Sequence, residues 1–240
     1  MKILRAQKLA KSFRKRKIVQ GISLEVRAGE VVGLLGPNGA GKTTTFYMIA
    51  GLLRPDQGKV FLDEKEITDL SLARRAKLGL TYLPQERSIF RDLTVEKNIL
   101  GVLELKPFTE EERIQRKEAL LEEFGLSHLA QNKGYTLSGG EARKVEIARA
   151  VAMEPDFILL DEPFAGIDPL TVKGLQALIK NLRNQGLGIL ISDHNVRETL
   201  KICDQAYLIY QGRVLEAGTP VEIAQSKKAR AFYLGEDFKL

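Results

Sequence analysis

The residues Gly36, Pro37, Asn38, Gly39, Ala40, Gly41, Lys42 and Thr43 spell GPNGAGKT, a match to G-x-x-x-x-G-K-T. They follow an apolar run, Val31 to Leu35, that reads as a buried strand, and they lead into Thr43 to Ala50, which reads as a helix. Glycines allow a tight backbone turn whose N–H groups converge on phosphate oxygens, and the helix N-terminus adds partial positive charge. In this setting Lys42 is expected to reach the terminal phosphates and the Thr43 hydroxyl to bind magnesium. A second signal is Phe157 to Leu160, an apolar strand pattern ending in Asp161 and Glu162. Parallel sheets bind ligands at the edge where such a strand emerges. There Asp161 is expected on magnesium and Glu162 near the water that attacks the γ-phosphorus, as general base or positioner. An acidic pair after a strand is often only a solvated loop, and it is the phosphate loop upstream that turns the reading toward catalysis. A third signal is Ser138, Gly139, Gly140 and Glu141, which open a helix over Glu141 to Met153 with a capping-box pattern.

These residues need elements to hold them. Ile3 to Leu9 and Ile22 to Val26 alternate like half-buried strands, giving a small β layer before the phosphate loop. Gly58 to Leu62 and Leu78 to Leu83 read as further strands, whereas Val95 to Val102 and Glu110 to Phe124 have helical spacing. From Phe157 onward strands and helices alternate: helix over Leu170 to Asn184, strand over Leu187 to Ser192, helix over Val196 to Cys203, strand over Ala206 to Tyr210. Such alternation implies a parallel sheet. The expected organisation is one α/β nucleotide-binding domain over 1–240, interrupted by a helical subdomain at about 85–153 and closed by an extension at about 218–240.

Composition narrows the class. At 240 residues, 44% hydrophobic and 28% charged, the chain can bury one substantial core. Cys203 is the single cysteine, which excludes an internal disulfide and fits a reducing compartment, with cytoplasm as the expectation. No apolar run approaches the roughly 20 residues of a spanning helix, so attachment to a membrane would need partners. The net charge of +6 gathers at Arg14 to Lys17, Arg74 to Lys77 and Lys227 to Arg230. These clusters are short and lack interleaved aromatics, so they read as solvated faces and no nucleic-acid partner is expected.

LSGGE lying between GPNGAGKT and FILLDEP resembles the ordered motif set of the ATP-binding-cassette ATPases from end to end. The resemblance implies a P-loop (RecA-like) parallel-sheet core with a small antiparallel β layer, and it implies ATP and Mg2+ as ligands. Carried over position by position, the phosphate-contacting set extends to Thr44. Gln85 matches the glutamine that touches magnesium and the attacking water, and His194 matches the switch histidine that contacts the γ-phosphate; His128 is expected to be an ordinary surface or core residue. Asp168 matches the aspartate of a loop that crosses a dimer interface. Phe13 matches the aromatic that stacks on adenine, although a strand phenylalanine facing the core would look the same. Ser138 to Glu141 would close over the phosphate loop of a second copy, so a head-to-tail homodimer holding shared ATP is implied, docked on integral membrane transport subunits. Phe90 and Arg91 fall where those subunits dock, and core packing is the other reading of Phe90. Ala142 departs from the arginine or glutamine common after the signature glutamate. The stretches TTTFYMIAG, LPQERSIFRDLTV, SDHNVRETL and YLGEDFKL are similar to the ATPases of lipopolysaccharide exporters, bound at the cytoplasmic face of the inner membrane. Branched-chain amino-acid importer ATPases share the overall set and a related YLGE ending, and non-transport cassettes are the more distant alternative.

Overall fold

The computed structural model describes residues 1–238 and 240. Strands β1 (Ile3–Phe13) and β2 (Arg16–Arg27) form a long hairpin, followed by β3 (Val31–Leu35) and α1 (Lys42–Ala50). Strands β4 (Gln57–Leu62) and β5 (Lys65–Glu66) join the hairpin in an antiparallel sheet of order β2-β1-β4-β5. After α2 (Leu72–Lys77) and β6 (Leu80–Leu83) the chain turns helical, with α3 (Val95–Leu103), α4 (Glu110–Glu123) and α5 (Gly139–Val151). Then β7 (Phe157–Asp161), α6 (Pro169–Asn184), β8 (Gly188–Ser192), α7 (Val196–Leu200), β9 (Gln205–Tyr210), β10 (Arg213–Gly218) and α8 (Pro220–Gln225) follow. A helical turn at Lys227–Ala229 runs into a π-helical turn at Arg230–Leu234.

The second sheet has the order β10-β9-β3-β8-β7-β6, parallel except for β10 at one edge. Helices including α5 and α6 cover one of its faces and α1 with the antiparallel sheet covers the other, so its central strands have no polar face. Val31, Ile158, Leu160, Ile189 and Ile191 enter one apolar cluster. Their neighbours Val32, Leu34, Phe157, Leu159 and Leu190 enter the other. This two-sided burial explains the unbroken apolar runs of the sequence. The strands β3, β8 and β7 are adjacent, with Leu34 beside Ser192 and Ser192 beside Asp161. Three loops that carry chemistry therefore leave one edge side by side.

Several boundaries differ from expectation. The hairpin strands run longer than Ile3 to Leu9 and Ile22 to Val26, because register shifts after Ala6 and Leu9 interrupt the period of two. Lys8 there takes φ 48°, and Gly58 fits opposite because a Cβ would lie 2.4 Å from the Lys8 carbonyl oxygen. Leu78 ends α2 instead of starting a strand, and α7 stops at Leu200. The edge strand β10 carries no strand signal in the sequence, since RVLEAG does not alternate and none of its residues is buried. The expectation that Arg74 to Lys77 is a solvated face needs a correction: Arg75 is fully buried. Its guanidinium donates to the carbonyls of Leu70, Met48, Ile49 and Thr68.

Candidate functional site: a phosphate loop facing a carboxylate cluster

Gly36 leaves β3 at φ 144°, and a Cβ there would sit 2.1 Å from the Ile209 carbonyl oxygen, so no other residue fits. Gly41 opens α1 in the left-handed region with no side-chain cap and no acidic residue in the first turn. The first-turn N–H groups, which a helix cannot satisfy itself, are thus presented to an anion. Lys42 is buried, its Nζ donating to the carbonyls of Gly36 at 2.7 Å and Pro37 at 3.1 Å. Burial pulls its pKa down while Glu162, Asp161 and Asp193 pull it up. Thr43 is exposed and Thr44 half-buried on the first turn, as Pro37, Asn38 and Gly39 form the rim and Ala40 packs inward.

Across from the loop, Asp161 is buried at the end of β7. Its Oδ1 accepts from the Ser192 hydroxyl at 3.1 Å and its Oδ2 from the Tyr82 hydroxyl at 3.3 Å. Burial, more than any partner, pushes its pKa up. Glu162 follows at φ 45°, a strained conformation for a residue with a side chain. Its Oε2 accepts from Gln85 Nε2 at 3.0 Å and lies 3.1 Å from His194 Nδ1. The structure therefore brings Gln85, Glu162 and His194 onto one oxygen, from three separate loops.

Ser138 and Glu141 form the expected reciprocal capping box of α5. Gly140 is required by packing, because a Cβ would lie 2.0 Å from Thr171 Cγ2 on α6. Gly139 lines a narrow cleft with Gln85, Glu162 and Gly166, and no phosphate-loop residue lines it. Asp168 caps α6, accepting from the N–H groups of Leu170 and Thr171. Phe13 is 47% exposed at the end of β1, which removes the core reading of that residue. Phe90 is 50% exposed, with the Arg149 guanidinium 4.2 Å from its ring centre, so it is not a core residue either. Arg91 and His128 are exposed, and Ala142 is buried in the core, where a longer polar side chain would meet apolar neighbours.

Four features of the site escaped the sequence reading. Ser192 ends β8 as Asp161 ends β7 and Asp193 follows it, a parallel that the apolar run before them displays. Tyr82 had no signal beyond its strand. The buried pair Arg143 and Glu146 binds α5 to the site: Arg143 donates to the carbonyls of Pro84 and Asp161, and Glu146 accepts from the N–H groups of Ser88 and Ile89. The Tyr233 hydroxyl, from the π-helical turn, meets the Gly36 backbone.

An uncapped glycine-opened helix facing acids at the ends of β7 and β8 defines a P-loop nucleoside triphosphatase. The profile of the family described as ABC transporter matches residues 19–165. The chain is 56% identical over 238 residues to the lipopolysaccharide export system ATP-binding protein LptB of Acidithiobacillus ferridurans, covering 99% of both chains. It is 52% identical over 241 residues to that of Escherichia coli K12, covering 100% of both. The ADP conformation of MJ1267, an ATP-binding cassette of an ABC transporter, superposes with a TM-score of 0.87 at 30% identity, over 98% of this chain and 100% of that one. A dimeric post-hydrolysis cassette, MJ0796 bound to ADP and Pi, gives 0.79 at 25% identity, over 90% and 98%. The chain belongs to the ABC transporter family as its ATP-binding, ATP-hydrolysing subunit. Among the described residues no helix is long and apolar enough to cross a membrane.

Proposed function

We propose that this chain is the motor subunit of a lipopolysaccharide export system, acting as a homodimer beneath integral membrane transport subunits at the cytoplasmic face of the inner membrane. Full-length identity to ATPases of that name supports the cargo, and the dimeric cassette supports the pairing. In this reading 1–240 is one domain, with a helical subdomain at about 85–153 and an extension at about 218–240. The observation that carries the chemistry is the Glu162 carboxylate held between Gln85 and His194. Glu162 orients the attacking water and takes its proton, while Gln85 and His194 fix the carboxylate and His194 reaches the γ-phosphate. The N–H groups of residues 38–44 and the Lys42 ammonium hold the phosphates, and Phe13 stacks on the adenine.

The residues fit magnesium. Asp161 is a desolvated carboxylate whose oxygens accept from the neutral hydroxyls of Ser192 and Tyr82, with Arg143 and Lys42 as nearby cations, and no cluster of His, Cys, Asp or Glu among the described residues forms a complete cage. Magnesium characteristically takes one or two protein oxygens and leaves the rest to water and phosphate. Thr43, Gln85 and Asp161 would hold it, and bound there it neutralises charge on the transferring phosphoryl group. Ser138 to Glu141 and Asp168 face the second copy, and Phe90 and Arg91 face the membrane subunits. Since general-base catalysis is worth about 10²–10⁴ in rate, Glu162→Gln is expected to lose that much turnover yet bind ATP and accumulate as an ATP-dependent dimer in sizing experiments. Near-normal turnover removes Glu162 from the mechanism. For the cargo, a tagged chain is expected to co-purify with integral membrane proteins and to support ATP-dependent release of lipopolysaccharide from inner-membrane vesicles; a permease pair of amino-acid type would refute it.

A further inference from the structure

Asp193 is fully buried and lies directly before His194. Its two oxygens are divided between two loops. Oδ1 accepts from the Asn195 N–H at 2.7 Å, on the turn that carries His194. Oδ2 accepts from the Phe164 N–H at 3.1 Å, on the turn that runs from Glu162 toward Asp168. The first turn is short and closed, with Asn195 capping α7 and the Val196 N–H bonded to the His194 carbonyl. The second is closed by the Ala165 N–H on the Glu162 carbonyl and ends where Asp168 caps α6. His194 Nδ1 lies 3.5 Å from Asp193 Oδ1 and 3.1 Å from Glu162 Oε2.

We propose that Asp193 is a positioning residue for hydrolysis, one carboxylate that clamps the His194 turn to the Glu162–Asp168 turn so that the two move as a unit. A carboxylate suits the task because both of its oxygens accept, whereas an amide offers one acceptor and one donor. Ionised acceptors also form the stronger bonds, which offsets part of the burial cost of the charge. A clamp of this kind transmits motion: displacement of the Asp168 loop by a neighbouring subunit would carry His194 with it and change its distance from Glu162. The inference rests on the proposed roles of Glu162 and His194.

The test compares Asp193→Asn with the unaltered full-length chain. The amide must turn its donor toward one of the two N–H groups, so the clamp opens without loss of volume. The expected result is a fall in kcat of tenfold or more, with KM for ATP within threefold. Amide hydrogen exchange should quicken in segments 163–168 and 194–196 and nowhere else, and the melting temperature should not fall. A kcat within twofold of the unaltered chain overturns the proposal, as does a lost kcat accompanied by faster exchange throughout the protein. If Asp193→Asn does not fold, Asp193→Ser is measured in the same way with the same criteria. Glu162→Gln is run alongside: retained turnover in that variant sinks the reading of Glu162, while the exchange pattern still decides whether Asp193 clamps the loops.

Discussion

Arg75 is the residue whose loss should be felt farthest from where it sits. It is fully buried, with no acidic side chain in ion-pair contact, and donates to four backbone carbonyls. Two of these, Met48 and Ile49, belong to the last turn of α1, where a helix leaves its carbonyls without partners. The cation thus sits at the negative end of the same helix whose positive end holds the phosphate loop. Gly51 accommodates it, since a Cβ there would lie 2.6 Å from Arg75 Nε. Burial lowers the Arg75 pKa to about 10, so the group stays charged at neutral pH. Arg75→Met keeps the aliphatic stem but strands the carbonyls. At about 1–3 kcal/mol for each buried unsatisfied acceptor, the Met48 and Ile49 carbonyls alone cost ~2–6 kcal/mol. Removing a desolvated charge returns part of that, leaving an expected loss of about 3 kcal/mol. Arg75→Lys keeps the charge without the planar fork and should lose less. Urea unfolding followed by tryptophan-independent far-UV circular dichroism measures the difference as a shift in midpoint at constant slope. Stability of Arg75→Met within about 0.5 kcal/mol of the unaltered chain, the level of an ordinary surface substitution, would refute the idea that this arginine anchors α1.

Lys42→Ala removes the ammonium that the loop carbonyls hold in place, and ATP binding by isothermal calorimetry should become undetectable; an unchanged affinity would count against the phosphate-loop reading. Gly140→Ala pushes a methyl into Thr171, with an overpacking cost of about 1–3 kcal/mol and a matching drop in melting temperature, and it should impair ATP-dependent dimer formation. Asp161→Asn should lose magnesium-dependent hydrolysis yet melt higher than the unaltered chain at pH 7. The sign follows from burial: a carboxyl with a raised native pKa binds more protons folded than unfolded, so its stabilising contribution is complete below the ordinary value of 3.8 and is lost as pH rises through the native pKa. A melting difference that does not grow as pH rises through that window would refute the assignment.

The legible part of this protein was the part in which local chemistry and backbone geometry coincide. GPNGAGKT announces itself because the turn needs glycine at Gly36 and Gly41 and the helix start needs no cap. FILLDE announces itself because a strand covered on both faces must be apolar until it emerges. The Ser138 capping box was readable for the same reason, being a local hydrogen-bond exchange. What stayed hidden depends on distant partners. Arg75 looked like one of three surface cations until α1 and the Thr68–Leu70 turn were placed around it. Arg143 and Glu146 had helical spacing but gave no hint that they would reach Pro84 and Ser88. Phe13 and Phe90 could not be separated from core residues by sequence, since exposure at a strand end or loop is set by what the fold leaves uncovered.

The electrostatics of the site suggest why its loops are tied so tightly. Burial raises the pKa of both Asp161 and Asp193 and lowers that of Lys42, so each charge stands in surroundings that disfavour it. Charges held at such cost relax if the backbone can move, by swinging a side chain toward water. Here the escape routes are closed. Ser192 and Tyr82 hold both oxygens of Asp161. The N–H groups of Phe164 and Asn195 hold both oxygens of Asp193. Loop carbonyls hold Lys42. A site organised in this way has its polar groups oriented before the triphosphate arrives, which is the condition under which electrostatic stabilisation of a transition state costs no reorganisation. It follows that substitutions loosening the ties of Asp161 and Asp193 should lower kcat while sparing ATP affinity, whereas substitutions that free Lys42 from the phosphate loop should lower ATP affinity itself.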